Sequence, residues 1–277
     1  MSEERAEQQQ QLPDSGENSP ETQSEAEEEG VELVVVNQDD FDLDLSHGRV
    51  AKIENLEQMT RVETICLRWN LIKKIENLST LTTLTELDLY DNQITEIENL
   101  GALENLESLD ISFNRIRKIQ GLENLLSLRK LYLVSNKITK LENVNHLRNL
   151  ELLELGDNRI RKIENLDGLD QLKELYLGKN KIAALSNLDV VPGLRLLSIQ
   201  SNRICRIEGL ERLTMLDQLY ISHNGIEDIE NLTENRHLTT LDMAGNRISE
   251  IKNLEALESC EDLWLNDNKV VFTKLNS

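Results

Sequence analysis

Rings are scarce in this chain: two tryptophans, four tyrosines and three phenylalanines serve 277 residues. A core made here must be filled by aliphatic side chains. Cysteine is as sparse, and Cys66, Cys205 and Cys260 lie far apart, which excludes a disulfide framework and fits a reducing compartment. No stretch approaches the roughly 18 consecutive apolar residues of a membrane helix, and the N-terminal stretch lacks the basic and apolar zones of a signal peptide. The expectation is a soluble, intracellular protein that meets no membrane. The histidines, His47, His146, His223 and His237, are scattered, and none stands at metal-ligand spacing from a cysteine. With no glycine-rich phosphate loop and no nucleophile beside a base, the sequence offers no catalytic set, no metal site and no cofactor site. Catalysis is not expected.

What the chain has in abundance is period. Asparagine recurs every 22 residues at Asn70, Asn92, Asn114, Asn136, Asn158, Asn180, Asn202, Asn224, Asn246 and Asn268. Each stands in the frame Leu-x-x-Leu-x-Leu-x-x-Asn-x-Ile, seen undiluted at Leu84, Leu87, Leu89, Asn92 and Ile94. Such a frame is the signature of leucine-rich repeats. Leu87 and Leu89 alternate with Asp88 and Tyr90, the period of a strand. From Ile94 the apolar spacing becomes three, which predicts a return built of 3₁₀ turns. Neither half can bury its own leucines, so neighbouring units must stack. The expected fold is α/β: a right-handed leucine-rich-repeat solenoid, or horseshoe, with a concave parallel β-sheet and a 3₁₀-helical convex side. The asparagine, holding donors and an acceptor on one amide, is expected to bond backbone on both sides of the turn.

Cations are the minority charge, 30 lysines and arginines against 51 acids, for a net charge of −21. Residues 1–44 hold fifteen of the acids and a single arginine, net −14, which leaves −7 for the rest. We read residues 1–39 as a disordered acidic tail, interrupted by the apolar run Val31 to Val36. Residues 40–277 form the array. Gly48 stands where Asn is expected, so the first unit is an atypical cap, and counting it gives eleven coils. At about 4.8 Å per strand the sheet would span roughly 50 Å.

One face of the sheet alternates with polar residues and must be open. Four residues before each asparagine the outward column reads Cys66, Asp88, Asp110, Tyr132, Glu154, Tyr176, Ser198, Tyr220, Asp242, Trp264. It holds acids and rings but no lysine or arginine. Tyr90, Trp69 and Phe113 fall beside the same positions, so seven of the nine rings lie outside the core, the reverse of core usage. Exposed tyrosine and tryptophan supply hot spots at protein interfaces, and the acids select a partner surface carrying lysine and arginine. Gly156, Gly178, Ser112 and Ala244 leave room for its approach.

The succession Cys66-Leu67-Arg68, Leu87-Asp88-Leu89-Tyr90-Asp91-Asn92, Leu109-Asp110-Ile111-Ser112-Phe113-Asn114, Leu153-Glu154-Leu155-Gly156, Leu177-Gly178-Lys179-Asn180 and Ser222-His223-Asn224-Gly225-Ile226-Glu227 closely resembles the leucine-rich-repeat regulatory subunits of protein phosphatase 1. The resemblance covers residues 40–268. It implies a non-catalytic subunit that grips the phosphatase catalytic subunit on its concave face and controls its activity or location, in nucleus and cytoplasm. Carried over position by position, the family's contacts fall on Asp110, Tyr132, Glu154, Tyr176, Asp242, Asp262 and Trp264, with Asp88 and Tyr220 as further candidates. Further phosphatase regulators are implied partners, and the chain is expected to be a monomer before a partner binds. The family continues with another repeat and a helical cap, whereas Asn268 is followed here only by Lys269 to Ser277, so a truncated C-terminus is expected. Lys269-Val270-Val271-Phe272 also matches the basic-Val-x-Phe docking motif of phosphatase partners, although Val270 is explained as a core position.

A second reading is a generic repeat scaffold for another protein or a ribonucleoprotein partner. Cations follow the asparagines in a rim that runs from Arg115 to Arg206, and such a stripe could track a phosphate backbone. Glutamates such as Glu98, Glu142, Glu164 and Glu208 follow on the return side, and the chain as a whole is acidic, which weighs against nucleic acid.

Overall fold

The computed structural model describes residues 37–271. The acidic stretch 1–36, with its Val31 to Val36 interruption, and residues 272–277 lie outside the described residues. Every coil contributes one short strand: β1 Asp42–Asp44, β2 Thr64–Cys66, β3 Glu86–Asp88, β4 Ser108–Asp110, β5 Lys130–Tyr132, β6 Leu152–Glu154, β7 Glu174–Tyr176, β8 Leu196–Ser198, β9 Gln218–Tyr220, β10 Thr240–Asp242 and β11 Asp262–Trp264. They form one parallel sheet in sequence order. Pairing never slips. Leu87 lies opposite Leu109, which lies opposite Leu131, and so on at 22-residue steps. Uniform register follows from the uniform period, because a one-residue slip would turn every strand leucine outward.

The core is a stack of aliphatic ladders. Leu87, Leu109, Leu131, Leu153 and Leu175 are fully buried, as are Ile94, Ile97, Leu100, Leu103 and Leu106 of a central return, whereas Leu126 and Ile251 are exposed. Burying one such side chain favours the folded state by about 1.5–3 kcal/mol. At the far end Leu263, the equivalent residue of β11, is 39% exposed.

Each asparagine of the ladder is bonded as its chemistry demands. The Asn158 Oδ1 accepts the Ile138 N–H at 2.9 Å, while Nδ2 donates toward the carbonyls of Leu133, Leu155 and Gly156 at 2.9, 3.1 and 3.1 Å. One amide thus ties two coils together and closes the turn of its own.

The return departs from expectation. Bonds of the i→i−3 kind are present, for example Leu81 N–H to the Leu78 carbonyl and Leu84 N–H to that of Leu81. They recur only every third residue, so the return is a chain of single turns, and among the described residues none is 3₁₀-helical. A 3₁₀ helix needs such bonds from consecutive residues. Left-handed backbone just before the turns explains part of the break: Asn77 and Asn99 both have φ of 60°. These residues belong to a second asparagine ladder, seven positions after the first, that sequence reasoning overlooked. Asn77 Nδ2 donates to the Ile53 carbonyl at 2.6 Å and Asn99 Nδ2 to that of Ile75 at 2.7 Å. Gly121 and Gly209 replace asparagine twice, also at positive φ. A Cβ on Gly209 would lie 2.7 Å from the Leu185 carbonyl oxygen, so backbone closes on backbone where elsewhere an amide bridges.

Candidate functional site: the open face of the sheet

The first and third residues of each strand point away from the core and line the open face. Register places the third residues in one column in which Cys66, Asp88, Asp110, Tyr132, Glu154, Tyr176, Ser198, Tyr220, Asp242 and Trp264 are successive neighbours. Asp110, Tyr132, Glu154 and Tyr176 therefore form one contiguous group on β4 to β7. Asp242 and Trp264 form another on β10 and β11, with Asp262 in the parallel row two residues before Trp264. Between the groups stand Ser198, which is buried, and Tyr220.

The aspartates have a local duty that composition did not reveal. The Oδ1 of Asp88, Asp110 and Asp242 accepts the backbone N–H two residues on, from Tyr90, Ser112 and Ala244, at 3.0, 2.8 and 3.0 Å. These Asx turns direct the chain out of the strand. One carboxylate oxygen is thereby spent on structure and the other remains for the face. Glu154 makes no such bond to the backbone. Burial pushes its pKa up, and the nearby Asp110 charge adds to the rise. Asp88 is likewise raised, chiefly by burial, with Asp110 contributing and the Tyr90 N–H and Arg68 opposing. These carboxylates are held in a setting that disfavours their charge, and an incoming cation would relieve it.

A cation already reaches part of the column. Arg68, two residues before Asn70, places Nε 2.8 Å from Asp88 Oδ2 without aiming its N–H at it, and Nη2 3.6 Å from Asp110 Oδ2. Its guanidinium lies 4.6 Å from the Tyr90 ring centroid and 5.5 Å from that of Trp69. The column contains no cation, as its sequence shows, but one leans over it from the neighbouring row. Arg68 carries the only positive charge two residues before any of the ten asparagines, a signal legible in the sequence once the turn geometry is known. The depression it helps to wall has a volume of about 770 Å³ and extends past Asp110, Phe113 and Tyr132 to Glu154.

Rings gather at two places. At the N-terminal end His47 stacks on Trp69 at 4.3 Å, Trp69 meets Tyr90 edge-on at 5.9 Å, and Tyr90 meets Phe113 at 4.8 Å. Trp69 and Phe113, each immediately before its asparagine, have φ of 54° and 55° and are each 43% exposed. Left-handed backbone on a bulky residue costs about 1–3 kcal/mol, which the bonded turn around it must offset. At the other end Tyr220 and Trp264 stack at 6.5 Å across the strand that carries Asp242. The Tyr176 hydroxyl donates to Glu174 Oε2 at 2.7 Å and that of Tyr220 to Gln218 Oε1 at 3.0 Å. Burial and Glu154 raise the Tyr132 pKa, and its hydroxyl has no protein partner among the described residues. Of the docking-motif residues, Lys269 N–H bonds the Ile248 carbonyl at 2.8 Å and Val270 packs against the core, while Phe272 lies outside the described residues.

A one-strand coil at a 22-residue period, stacked in a parallel sheet with one open face, defines a leucine-rich-repeat protein. The family model described as Leucine Rich repeats (2 copies) matches residues 82–124 and 214–258, and that described as Leucine rich repeat matches residues 127–182. Among solved structures, an internalin (InlF) of Listeria monocytogenes superposes with a TM-score of 0.79 at 29% identity, covering 83% of this chain and 68% of that one. InlJ of the same organism shares the fold at a TM-score of 0.69 and 21% identity, over 84% and 55% of the two chains. Among characterised sequences, protein phosphatase 1 regulatory subunit 7 of Homo sapiens is 53% identical over 66 residues, 24% of this chain and 18% of the relative. Its Xenopus tropicalis counterpart is 49% identical over 57 residues, 21% and 16% of the two chains. The matched stretches thus span less than a fifth of those relatives.

Proposed function

We propose that this chain is a non-catalytic regulatory subunit whose open face captures the catalytic subunit of protein phosphatase 1 and controls its activity or location in nucleus and cytoplasm. The observation that carries the reading is the in-register column of acids and rings on that face, taken with the likeness of about 50% over short stretches to a phosphatase regulatory subunit. Asp110, Tyr132, Glu154 and Tyr176 supply one contact group, and Asp242, Asp262 and Trp264 the other, with Asp88 and Tyr220 at their margins. Rings displace water from the contact, and half-buried carboxylates gain most from a lysine or arginine that reaches them there.

Capture of purified catalytic subunit, read by calorimetry, tests the proposal. Trp264→Ala and Asp242→Lys should each weaken binding by about 2 kcal/mol or more, the range of interface hot spots. Both side chains face outward, so unchanged circular dichroism would confirm an intact fold. Undiminished affinity in a folded double variant would reject the open face as the binding surface.

A further inference from the structure

A second charged surface lies off the open face, just past the asparagine turn. A backbone ladder fixes it: the residue after the asparagine donates its N–H to the preceding coil, as Arg115 does to the Ile94 carbonyl and Arg159 to that of Ile138, both at 2.8 Å. In five consecutive coils the four residues after the asparagine, 115–118, 137–140, 159–162, 181–184 and 203–206, hold eleven cations, no acid and no ring. The coils on either side differ. There the same positions read Gln-Ile-Thr-Glu at 93–96 and Gly-Ile-Glu-Asp at 225–228, so the band is bounded by acids at both ends. The buried isoleucine at the second position turns its neighbours outward: Arg115 and Arg117 are exposed on either side of Ile116, as Arg159 and Arg161 are on either side of Ile160. Glu142 and Glu230 engage Lys140 and Arg206 at 3.5 and 3.1 Å. Among the described residues the other nine cations form no ion pair with a carboxylate.

We propose that this band docks a short, extended segment of a partner protein that is rich in aspartate and glutamate. Like charges stacked one strand spacing of about 4.8 Å apart destabilise one another, and a bound carboxylate relieves that repulsion. Six of the eleven cations are arginines, whose planar fork pairs with a carboxylate through two parallel bonds. The flanking acids set the length of the ligand. Five coils span four spacings, about 19 Å, which an extended peptide covers with about six residues. Beyond that, Glu96 at one end and Glu227 and Asp228 at the other meet a polyanion with like charge. Single-stranded nucleic acid fits less well, because its bases call for rings to stack on and the band has none. Its continuing phosphates would also run onto the flanking acids. The proposal does not rest on the phosphatase reading, since none of these residues belongs to the open-face column.

Fluorescence anisotropy of the full chain with labelled hexaglutamate tests the proposal, with labelled hexauridylate as the nucleic-acid comparison. Hexaglutamate should bind more tightly than hexauridylate at roughly 50 mM salt and lose at least about tenfold in affinity at roughly 500 mM. Arg159→Gln with Arg161→Gln should weaken it by at least about tenfold, whereas Lys73→Gln with Lys74→Gln, two cations outside the band, should change it by less than about twofold. Both pairs are exposed and alter net charge equally, so the contrast reports position and not total charge, and circular dichroism serves as the folding control. Doubling the probe to dodecaglutamate should gain less than about threefold, because the added carboxylates meet the flanking acids. Absence of hexaglutamate binding at low salt, tighter binding of hexauridylate, equal losses from the two pairs of substitutions, or a gain of about tenfold or more on doubling the peptide would each overturn the proposal.

Discussion

Asn158 holds its coil through an amide that is 7% exposed and touches four backbone groups. Aspartate is nearly the same size but offers no donor, so Asn158→Asp would keep the bond from Ile138 N–H and set a negative oxygen against the carbonyls of Leu133, Leu155 and Gly156. Leaving buried acceptors unpaired costs about 1–3 kcal/mol each. We expect Asn158→Asp to lower stability by about 3 kcal/mol in denaturant titration, and Asn158→Ala by about 2 kcal/mol. A loss below about 0.5 kcal/mol in both would mean that the ladder amides are not what closes the coil. The sequence showed the first ladder at once because all ten positions are asparagine. The second was hidden because glycine interrupts it at Gly121 and Gly209, and the physical link between the two residue types, positive φ, is invisible until the backbone is seen.

On the strand face the titration of two carboxylates can be followed. Asp88 and Glu154 have raised pKa values in the folded chain, burial being the largest cause for both. A raised acid is more readily protonated folded than unfolded, so its favourable contribution is complete below its ordinary pKa and is lost as pH rises through the folded value. Asp44 and Glu151 shift the other way, Asp44 through its bonds from Ser46 and Glu151 through Lys173 and Arg129, and their contribution is lost as pH falls below the ordinary carboxylate range. The denaturation midpoint should therefore rise as pH falls from neutral towards the ordinary carboxylate range, then decline below that range. Asp88→Asn with Glu154→Gln should remove the rise and keep the decline; a rise that persists would assign it to other groups. Which residues share the column was legible from spacing alone, since a 22-residue period fixes the register from Cys66 to Trp264. The reach of Arg68 across two strands was not, because a long side chain leaving a turn takes its direction from the acids and rings around it. The 3₁₀ return failed for a related reason: a three-residue spacing of leucines is shared by a 3₁₀ helix and by a string of separate turns.

Across the whole array each coil touches only its neighbours in the sheet, β1 to β11 in order, so stability is set by coil-to-coil interfaces more than by long-range closure. A buried strand leucine in the middle serves two interfaces, whereas its counterpart in β11 is partly open. Leu153 is fully buried and Leu263 is 39% exposed. Truncating Leu153 to alanine should leave a cavity costing about 2–5 kcal/mol, while Leu263→Ala should cost less than about 1 kcal/mol. The form of the transition is as informative as its midpoint. A central cavity weakens the coupling between the two halves, so Leu153→Ala should broaden the denaturant transition or split it in two, the departure from two-state behaviour that repeat arrays show when cooperativity fails. Leu263→Ala should leave a single transition of unchanged steepness, with hydrogen exchange faster only in the last coil. Equal destabilisation by the two substitutions, or a sharp single transition for Leu153→Ala, would show that the array folds as one indivisible unit in which position along the stack has no bearing.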